Sequence, residues 1–234
     1  GPPTRVWSRN PLGSDDQALR HLLPLGDFIV LTAKPNRFLV LDQNSGATIK
    51  NVRYKSGTHG FEANDGHLFL ATRYHIKALT VGPWEIQWQA SINDLIGDGF
   101  TNSVFSFPLA RPETVFLNSR NYDTDTGRVI AIDRQSGSLK WSFPTAENPI
   151  AASAYSGDIV FGDRTGKFYR VDGATGEQVW KYNAPVAAYI QPATIVDGIV
   201  VFPTKQGTLF AIDADSGELL WSHDEETFGN FHNG

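Results

Sequence analysis

Residues 208–221 read TLFAIDADSGELLW. An apolar run ends in Asp213, the pair Ser216-Gly217 follows, and Trp221 stands four residues after the glycine. The same frame recurs without gaps as RFLVLDQNSGATIK (37–50), RVIAIDRQSGSLKW (128–141) and KFYRVDGATGEQVW (167–180). A degenerate copy, IKALTVGPWEIQW (76–88), keeps Ala78 and Trp88 but carries Trp84 where the others have glycine. The first copy ends in Lys50 instead of Trp. Successive end positions (Lys50, Trp88, Trp141, Trp180, Trp221) lie roughly 40 residues apart, the length of a four-stranded propeller blade; the step from Trp88 to Trp141 is about a dozen longer.

Within each unit the pattern is that of strands, with no 3.6-residue period. A further strand precedes three of the copies, as DGHLFLAT from Asp65, GDIVFGD from Gly157 and DGIVVFP from Asp197. Each is entered through a tight turn of hairpin chemistry: Asn64-Asp65-Gly66, Ser156-Gly157-Asp158 and Asp197-Gly198. Thr165-Gly166 and Gln206-Gly207 supply the next turn, and Asp-x-x-Ser/Thr-Gly the third, where glycine takes a positive φ. Four strands joined by three turns make one blade. The expected class is therefore all-β, a β-propeller of antiparallel four-stranded blades. Five units are visible, at 19–50, 61–89, 103–142, 150–181 and 191–222, between an N-terminal segment (1–18) and a tail (223–234). The one helical feature expected is a turn near Asp15–Leu23.

Trp88, Trp141, Trp180 and Trp221 read as docking residues. A flat indole at a fixed offset from glycine locks one blade onto its neighbour, and truncating a buried one costs about 3–5 kcal/mol. Ala78, Ala131 and Ala211, ten residues earlier, are the small partners this reading expects. The seam of blade 1 should be weaker, since Lys50 covers apolar surface only with its stem. Val6–Arg9 resembles the outermost strand of a blade, so Trp7 and Trp221 compete for the same place on blade 1 if five blades close a ring. Either the chain is an arc of a larger propeller, with exposed sheet edges that invite a partner or self-association, or five blades close and the first strand packs elsewhere.

The composition narrows the function classes. Apolar residues make up 41% of the chain and charged residues 19%, enough for a sizeable core and too little charge for disorder. A net charge of −5 argues against a nucleic-acid partner. No apolar run is long enough for a transmembrane segment. Cysteine is absent, which removes disulfides, thiolate metal sites and cysteine nucleophiles, and the absence of methionine points to a processed or excised chain.

The run Ala-x-Asp-x-x-Ser/Thr-Gly-x-x-x-Trp resembles the tryptophan-docking repeat of pyrroloquinoline-quinone-type β-propellers, including the BamB-like repeat. The resemblance covers most of residues 25–222. That family includes quinoprotein alcohol dehydrogenases, the outer-membrane assembly lipoprotein BamB and luminal sensing domains of stress kinases, so it implies the fold and leaves the function open. The dehydrogenases stack pyrroloquinoline quinone under a ring of adjacent disulfide-bonded cysteines and hold calcium with Glu, Asn and Asp. Without cysteine, and without a match to that ligand set, no cofactor is expected from these residues.

Candidate sites sit where loops outgrow the repeat. The excess of blade 3 lies in the stretch from Ile92 to Phe105 and in Asn121-YDTDTG. There Asp123 and Asp125 are a candidate calcium pair, the alternative being a solvated turn. The loops entering each first strand should converge at a channel mouth, which brings His59, Asn102, Asn148, Tyr189 and Gln191 forward as a binding face; the alternative is that they fill a narrow channel. No spacing for zinc, a nucleophile elbow or a phosphate loop is present. The expected function is a non-catalytic, extracytoplasmic scaffold that binds another protein. The alternatives are a fragment of a quinoprotein dehydrogenase and a self-associating luminal or extracellular sensing domain.

Overall fold

A computed structural model describes residues 19–34, 36–104, 106–150, 152–185, 192–204 and 207–224. Val6–Arg9, Tyr189, Gln191 and the tail after Asp224 lie outside the described residues. Among the described residues five antiparallel sheets follow one another along the chain, each pairing its strands in chain order apart from an extra first strand in the third. Blade 1 comprises β1 (Leu19–Leu25), β2 (Phe28–Ala33), β3 (Arg37–Asp42) and β4 (Thr48–Arg53). Blade 2 comprises β5 (Thr58–Asn64), β6 (His67–Thr72), β7 (His75–Thr80) and β8 (Ile86–Ser91). A short helix, α1 (Ile92–Ile96), leads to blade 3: β9 (Asn102–Val104), β10 (Leu109–Ala110), β11 (Thr114–Asn121), β12 (Gly127–Asp133) and β13 (Leu139–Thr145). Blade 4 comprises β14 (Ser153–Tyr155), β15 (Asp158–Gly162), β16 (Lys167–Val171) and β17 (Gln178–Asn183). Blade 5 comprises β18 (Thr194–Val196), β19 (Ile199–Pro203), β20 (Thr208–Asp213) and β21 (Leu219–Asp224).

First strands lie innermost, because sheets meet through them, β1 with β5, β5 with β10 and β14 with β18. In blade 3 the innermost strand is split: β10 pairs with one end of β11 and β9 with the other. The extra length of this unit is spent on that split, on α1 and on the loop around Tyr122. Ser91 caps α1, its side chain accepting from the Asp94 N–H, and Gly97 ends it at φ +65°. The helical turn expected near Asp15–Leu23 is replaced from Leu19 onward by β1, which pairs with β2 through Leu22, Leu23 and Pro24.

The repeated turn has a local cause. In Asp42, Asp133, Asp172 and Asp213 one carboxylate oxygen accepts from the backbone N–H three residues on, at 2.7–2.8 Å, and from the Ser or Thr hydroxyl there. The next residue is Gly46, Gly137, Gly176 or Gly217, at φ between +69° and +78°, and its N–H donates back to the Asp carbonyl at 2.9 Å. These hydrogen bonds hold all four carboxyls below their usual range. The hairpin turns at Asp65-Gly66, Ser156-Gly157 and Asp197-Gly198 carry two successive positive φ values, as a type I′ turn requires.

Four apolar seams join consecutive blades. Val30, Phe38 and Val40 meet Phe61, Leu68, Leu70 and Trp84 between blades 1 and 2. Phe69, Ile76, Leu117 and Ile130 fill the second seam, Val129, Trp141, Phe161 and Tyr169 the third, and Phe168, Trp180, Phe202 and Phe210 the fourth. Three indoles cross these seams onto glycine. A Cβ placed on Gly137, Gly176 or Gly217 would lie 2.6–2.7 Å from the ring of Trp88, Trp141 or Trp180, respectively. Each indole N–H also donates to a carbonyl in the same turn: Trp88 to Arg134 at 2.8 Å, Trp141 to Gly173 at 3.2 Å and Trp180 to Ala214 at 2.8 Å.

The small partner is therefore the turn glycine of the next blade. Ala78, Ala131 and Ala211 instead face Trp88, Trp141 and Trp221 across strands of the same sheet. Blade 4 has Arg170 in that place, and Trp180 docks all the same. The first seam also departs from expectation, because its indole comes from the other side. Lys50 reaches over to donate to the Trp84 carbonyl, while Trp84, in the glycine position at φ +58°, is 1% exposed. It meets Phe28 of blade 1 edge-on at 5.2 Å.

Arg134 staples the second seam. It is 8% exposed and donates to Asn64 Oδ1 (2.9 Å), Asn64 O (2.6 Å) and Arg111 O (3.0 Å), with its guanidinium 5.2 Å from the Phe69 ring. Arg134→Ala should cost about 1–3 kcal/mol in urea unfolding, since it removes three charge-assisted hydrogen bonds and strands partly buried acceptors. Arg134→Lys should recover little, because an ammonium cannot reproduce the fork. A loss below half a kcal/mol for Arg134→Ala would refute this assignment.

Candidate functional site

The end of the propeller where β5 begins and β6 ends collects cationic and aromatic side chains from three blades. Arg20 of β1 donates to the Thr58 carbonyl at 3.0 Å. His21 lies against Phe61 at 4.5 Å and Phe107 at 4.8 Å. The Phe107 ring rests on Gly60, where a Cβ would meet it at 1.7 Å, so only glycine admits this contact. Arg73, in the turn between β6 and β7, holds its guanidinium 5.3 Å from the rings of both Tyr74 and Tyr122. Arg120 sits 5.1 Å from Tyr122 on the blade 3 loop and is ion-paired with Asp125. The Tyr122 phenol is lowered by its hydrogen bond to Ser103, then by the hydrogen bond and charge of Arg73 and the charge of Arg120, against an opposing desolvation. The exposed ring of Tyr122 (45%) lies beside the guanidinium groups of Arg73 and Arg120, a surface suited to anionic or π-rich groups.

His59 belongs to this mouth. Its imidazole is pushed below the ordinary value first by burial and then by the charges of Arg20 and Arg73; burial does the same to His21. A depressed histidine pKa means that the unfolded chain binds more protons as pH falls below about 6.5, so folded stability declines from there down to the lowered values. Urea midpoints at pH 7.5 and 5.5 should show this decline in the native chain and a smaller one in His59→Gln. Equal slopes would show that His59 titrates normally.

The other sequence candidates are placed differently. Asn102 is fully buried and turned into its own loop, donating from Nδ2 to Asp98 Oδ1 at 2.9 Å and from its backbone N–H to Asn93 Oδ1 at 2.8 Å. Asn148 is 3% exposed, beside the bridge from Pro149 to Asp163 in blade 4. Asp123 accepts the Thr101 N–H at 2.7 Å, so it and Asp125 both have protein partners. Among the described residues no cluster of three acidic or histidine side chains is placed to hold a metal. Arg20, Arg73, Tyr74, Phe107 and Tyr122 were missed in the sequence. The only signal was position, since Arg73-Tyr74 directly follows the end of β6 and Tyr122 sits in the outgrown loop.

A second surface lies at the other extreme of the chain. Val196, Leu219, Leu220 and Trp221 of blade 5 are 61%, 42%, 48% and 44% exposed, although Trp141 and Trp180 are 9% and 7% exposed. Every residue of β21 is exposed.

A protein-family model described as outer membrane protein assembly factor BamB matches residues 125–231. The structure of BamB from Moraxella catarrhalis superposes with a TM-score of 0.65 at 18% identity, covering 85% of this chain and 58% of that one. This chain has the β-propeller fold. A europium-containing methanol dehydrogenase also carries the propeller fold, with a TM-score of 0.70 at 15% identity and coverage of 88% and 51%. So does the quinohemoprotein alcohol dehydrogenase from Comamonas testosteroni, with a TM-score of 0.69 at 11% identity and coverage of 87% and 42%. No curated protein matches the sequence. The propeller thus spans between two fifths and three fifths of the length of these solved relatives. Among the described residues no helix is long and apolar enough to cross a membrane.

Proposed function

We propose that this propeller is a non-catalytic, extracytoplasmic scaffold that binds another protein. The carrying observation is the apolar strip of blade 5, with Leu219, Leu220 and Trp221 consecutive on one edge strand and each over 40% exposed. Trp221 is the member of this strip whose counterparts, Trp141 and Trp180, are at most 9% exposed, and an indole buried elsewhere in the repeat and open here marks an interaction surface. The match over residues 125–231 to the outer-membrane assembly factor BamB supports a protein partner and an extracytoplasmic site of action. A photo-crosslinking residue at Leu220 should give a discrete protein adduct in the source cell, and the same residue at the equally exposed Ile86 should not. No adduct at Leu220, or equal adducts at both, would defeat the reading.

The second reading, part of a quinoprotein dehydrogenase, is favoured by TM-scores of 0.69–0.70 to two such enzymes. The residues fit it poorly. The chain has no cysteine for the stacking ring, and the Asp123 and Asp125 carboxylates are engaged by Thr101 and Arg120. Saturable absorbance of added pyrroloquinoline quinone with calcium would restore this reading against the scaffold.

A further inference from the structure

Two irregularities of the innermost strands gather basic groups at the mouth. In blade 1 Leu19 pairs with Ala33 and His21 with Thr32, so Arg20 is an extra residue that bulges from the ladder. In blade 2 Thr58 pairs with Thr72 and Gly60 with Ala71, which leaves His59 in the same place. A bulge bends its strand and re-aims a side chain. Arg20 donates to the Thr58 carbonyl at 3.0 Å, and among the described residues no other hydrogen bond occupies its guanidinium. Arg73 joins from the turn after β6, its backbone N–H donating to the Gly57 carbonyl at 2.8 Å and its guanidinium meeting the rings of Tyr74 and Tyr122. Two guanidinium groups and one imidazole are thus tied to the stretch 57–59.

Nothing acidic answers them, although the chain carries a net charge of −5. Among the described residues the ion pairs of arginine involve Arg111, Arg120, Arg128, Arg134 and Arg170, and neither Arg20 nor Arg73. Burial, then the charges of Arg20 and Arg73, hold the His59 imidazole below its ordinary value, with no carboxylate acting in the other direction. Beside it the Thr58 hydroxyl, on a fully buried residue, has no hydrogen-bond partner among the described groups. The repeat does not demand this cluster. In blade 4 the residue after the Pro149–Asp163 bridge, equivalent to His59, is the buried Ile150.

We propose that Arg20, His59 and Arg73 form a binding site for a dianionic tetrahedral oxyanion, a phosphate group held either free or as a monoester. The donors arrive from three different elements, the strands β1 and β5 and the turn after β6. The terminal oxygens of a phosphate point in as many directions, whereas a carboxylate offers two oxygens in one plane. Two negative charges balance the two guanidinium groups. With those balanced and an acceptor beside it, His59 takes up a proton and becomes the third donor. Because the anion favours the protonated imidazole, the protonated imidazole favours the anion. Binding therefore strengthens as pH falls, by about tenfold for each unit by which the anion raises the His59 pKa. The site uses no residue of blade 5 and does not rest on the scaffold reading.

Sulfate is the probe for pH, because it keeps both charges at pH 7.5 and 5.5 alike. NMR titration of the full chain, against chloride of equal ionic strength, follows the His59 ring resonance, assigned through His59→Gln. Sulfate should bind saturably, more tightly at pH 5.5 than at 7.5, and should raise the His59 pKa. Arg20→Gln and Arg73→Gln should each weaken binding about tenfold or more. If Arg20→Gln lowers Tm, since that side chain also holds the Thr58 carbonyl, Arg73→Gln alone decides. At pH 7.5 inorganic phosphate and glycerol 3-phosphate separate the two sources, tighter binding of the second marking a monoester and of the first the free anion. Sulfate that leaves the His59 pKa unchanged overturns the proposal, as does equal binding by the native chain and the deciding glutamine variants. Saturation by succinate where sulfate and phosphate give none overturns it in favour of a carboxylate ligand.

Discussion

Trp84→Gly lowers unfolding stability by about 2–4 kcal/mol, and adding Lys50→Trp to it returns at least half of that loss. Truncating a buried Trp costs about 3–5 kcal/mol, from which glycine recovers about 1–2 by relieving a left-handed backbone. The Trp84 φ of +58° and the hydrogen bond from its N–H to the Thr80 carbonyl at 2.9 Å reproduce the geometry of the turn glycines. The first seam thus has its two roles exchanged, with the indole on the turn and the slim residue on the outer strand. Exchanging them again recreates the arrangement of Trp141 over Gly176. Lys50→Trp alone should destabilise by about 1–3 kcal/mol, because two indoles then compete for one space. A double-mutant cycle in urea measures the coupling. Strictly additive effects would show that Lys50 and Trp84 do not share a seam.

Gly176→Val should cost about 2–5 kcal/mol. A Cβ there lies 2.7 Å from the Trp141 ring, and the φ of +78° adds a backbone penalty of about 1–2 kcal/mol to the overpacking. Gly157→Val separates the two terms, because that glycine has φ +91° but nothing within 4 Å of its Cβ. Its loss should be only the backbone part. If the two valines destabilise equally in thermal and urea unfolding, the indole does not press on Gly176.

Local chemistry explains what could be read from the sequence. The Asp-x-x-Ser/Thr-Gly turn is closed by bonds within five residues, so spacing alone reveals it, and the turn in turn fixes the blade period. The surface on which each tryptophan docks is not local. Trp88, Trp141 and Trp180 bond to residues 46, 32 and 34 positions away, whereas the alanine ten residues before Trp88 and Trp141 is the more visible neighbour in sequence. The exchange at Lys50 and Trp84 was visible as two separate oddities whose relation only the seam reveals. At the mouth, Arg20, Arg73 and Tyr122 are brought together by three blades, and neither Arg nor Tyr carries a pattern that announces this. The split between β9 and β10 leaves no trace in the sequence, because strands of three and two residues are too short to show alternation.

Because each described seam joins only consecutive blades, cohesion along this molecule is a chain of nearest-neighbour grips. Among the described residues blade 5 is held by one such grip, around Trp180 and Phe210, and unlike blade 1, whose far face is buried, it leaves Trp221 of its far face 44% exposed. Its amides are therefore the ones that surrender their deuterium earliest, and unravelling begins there while the middle blades remain intact.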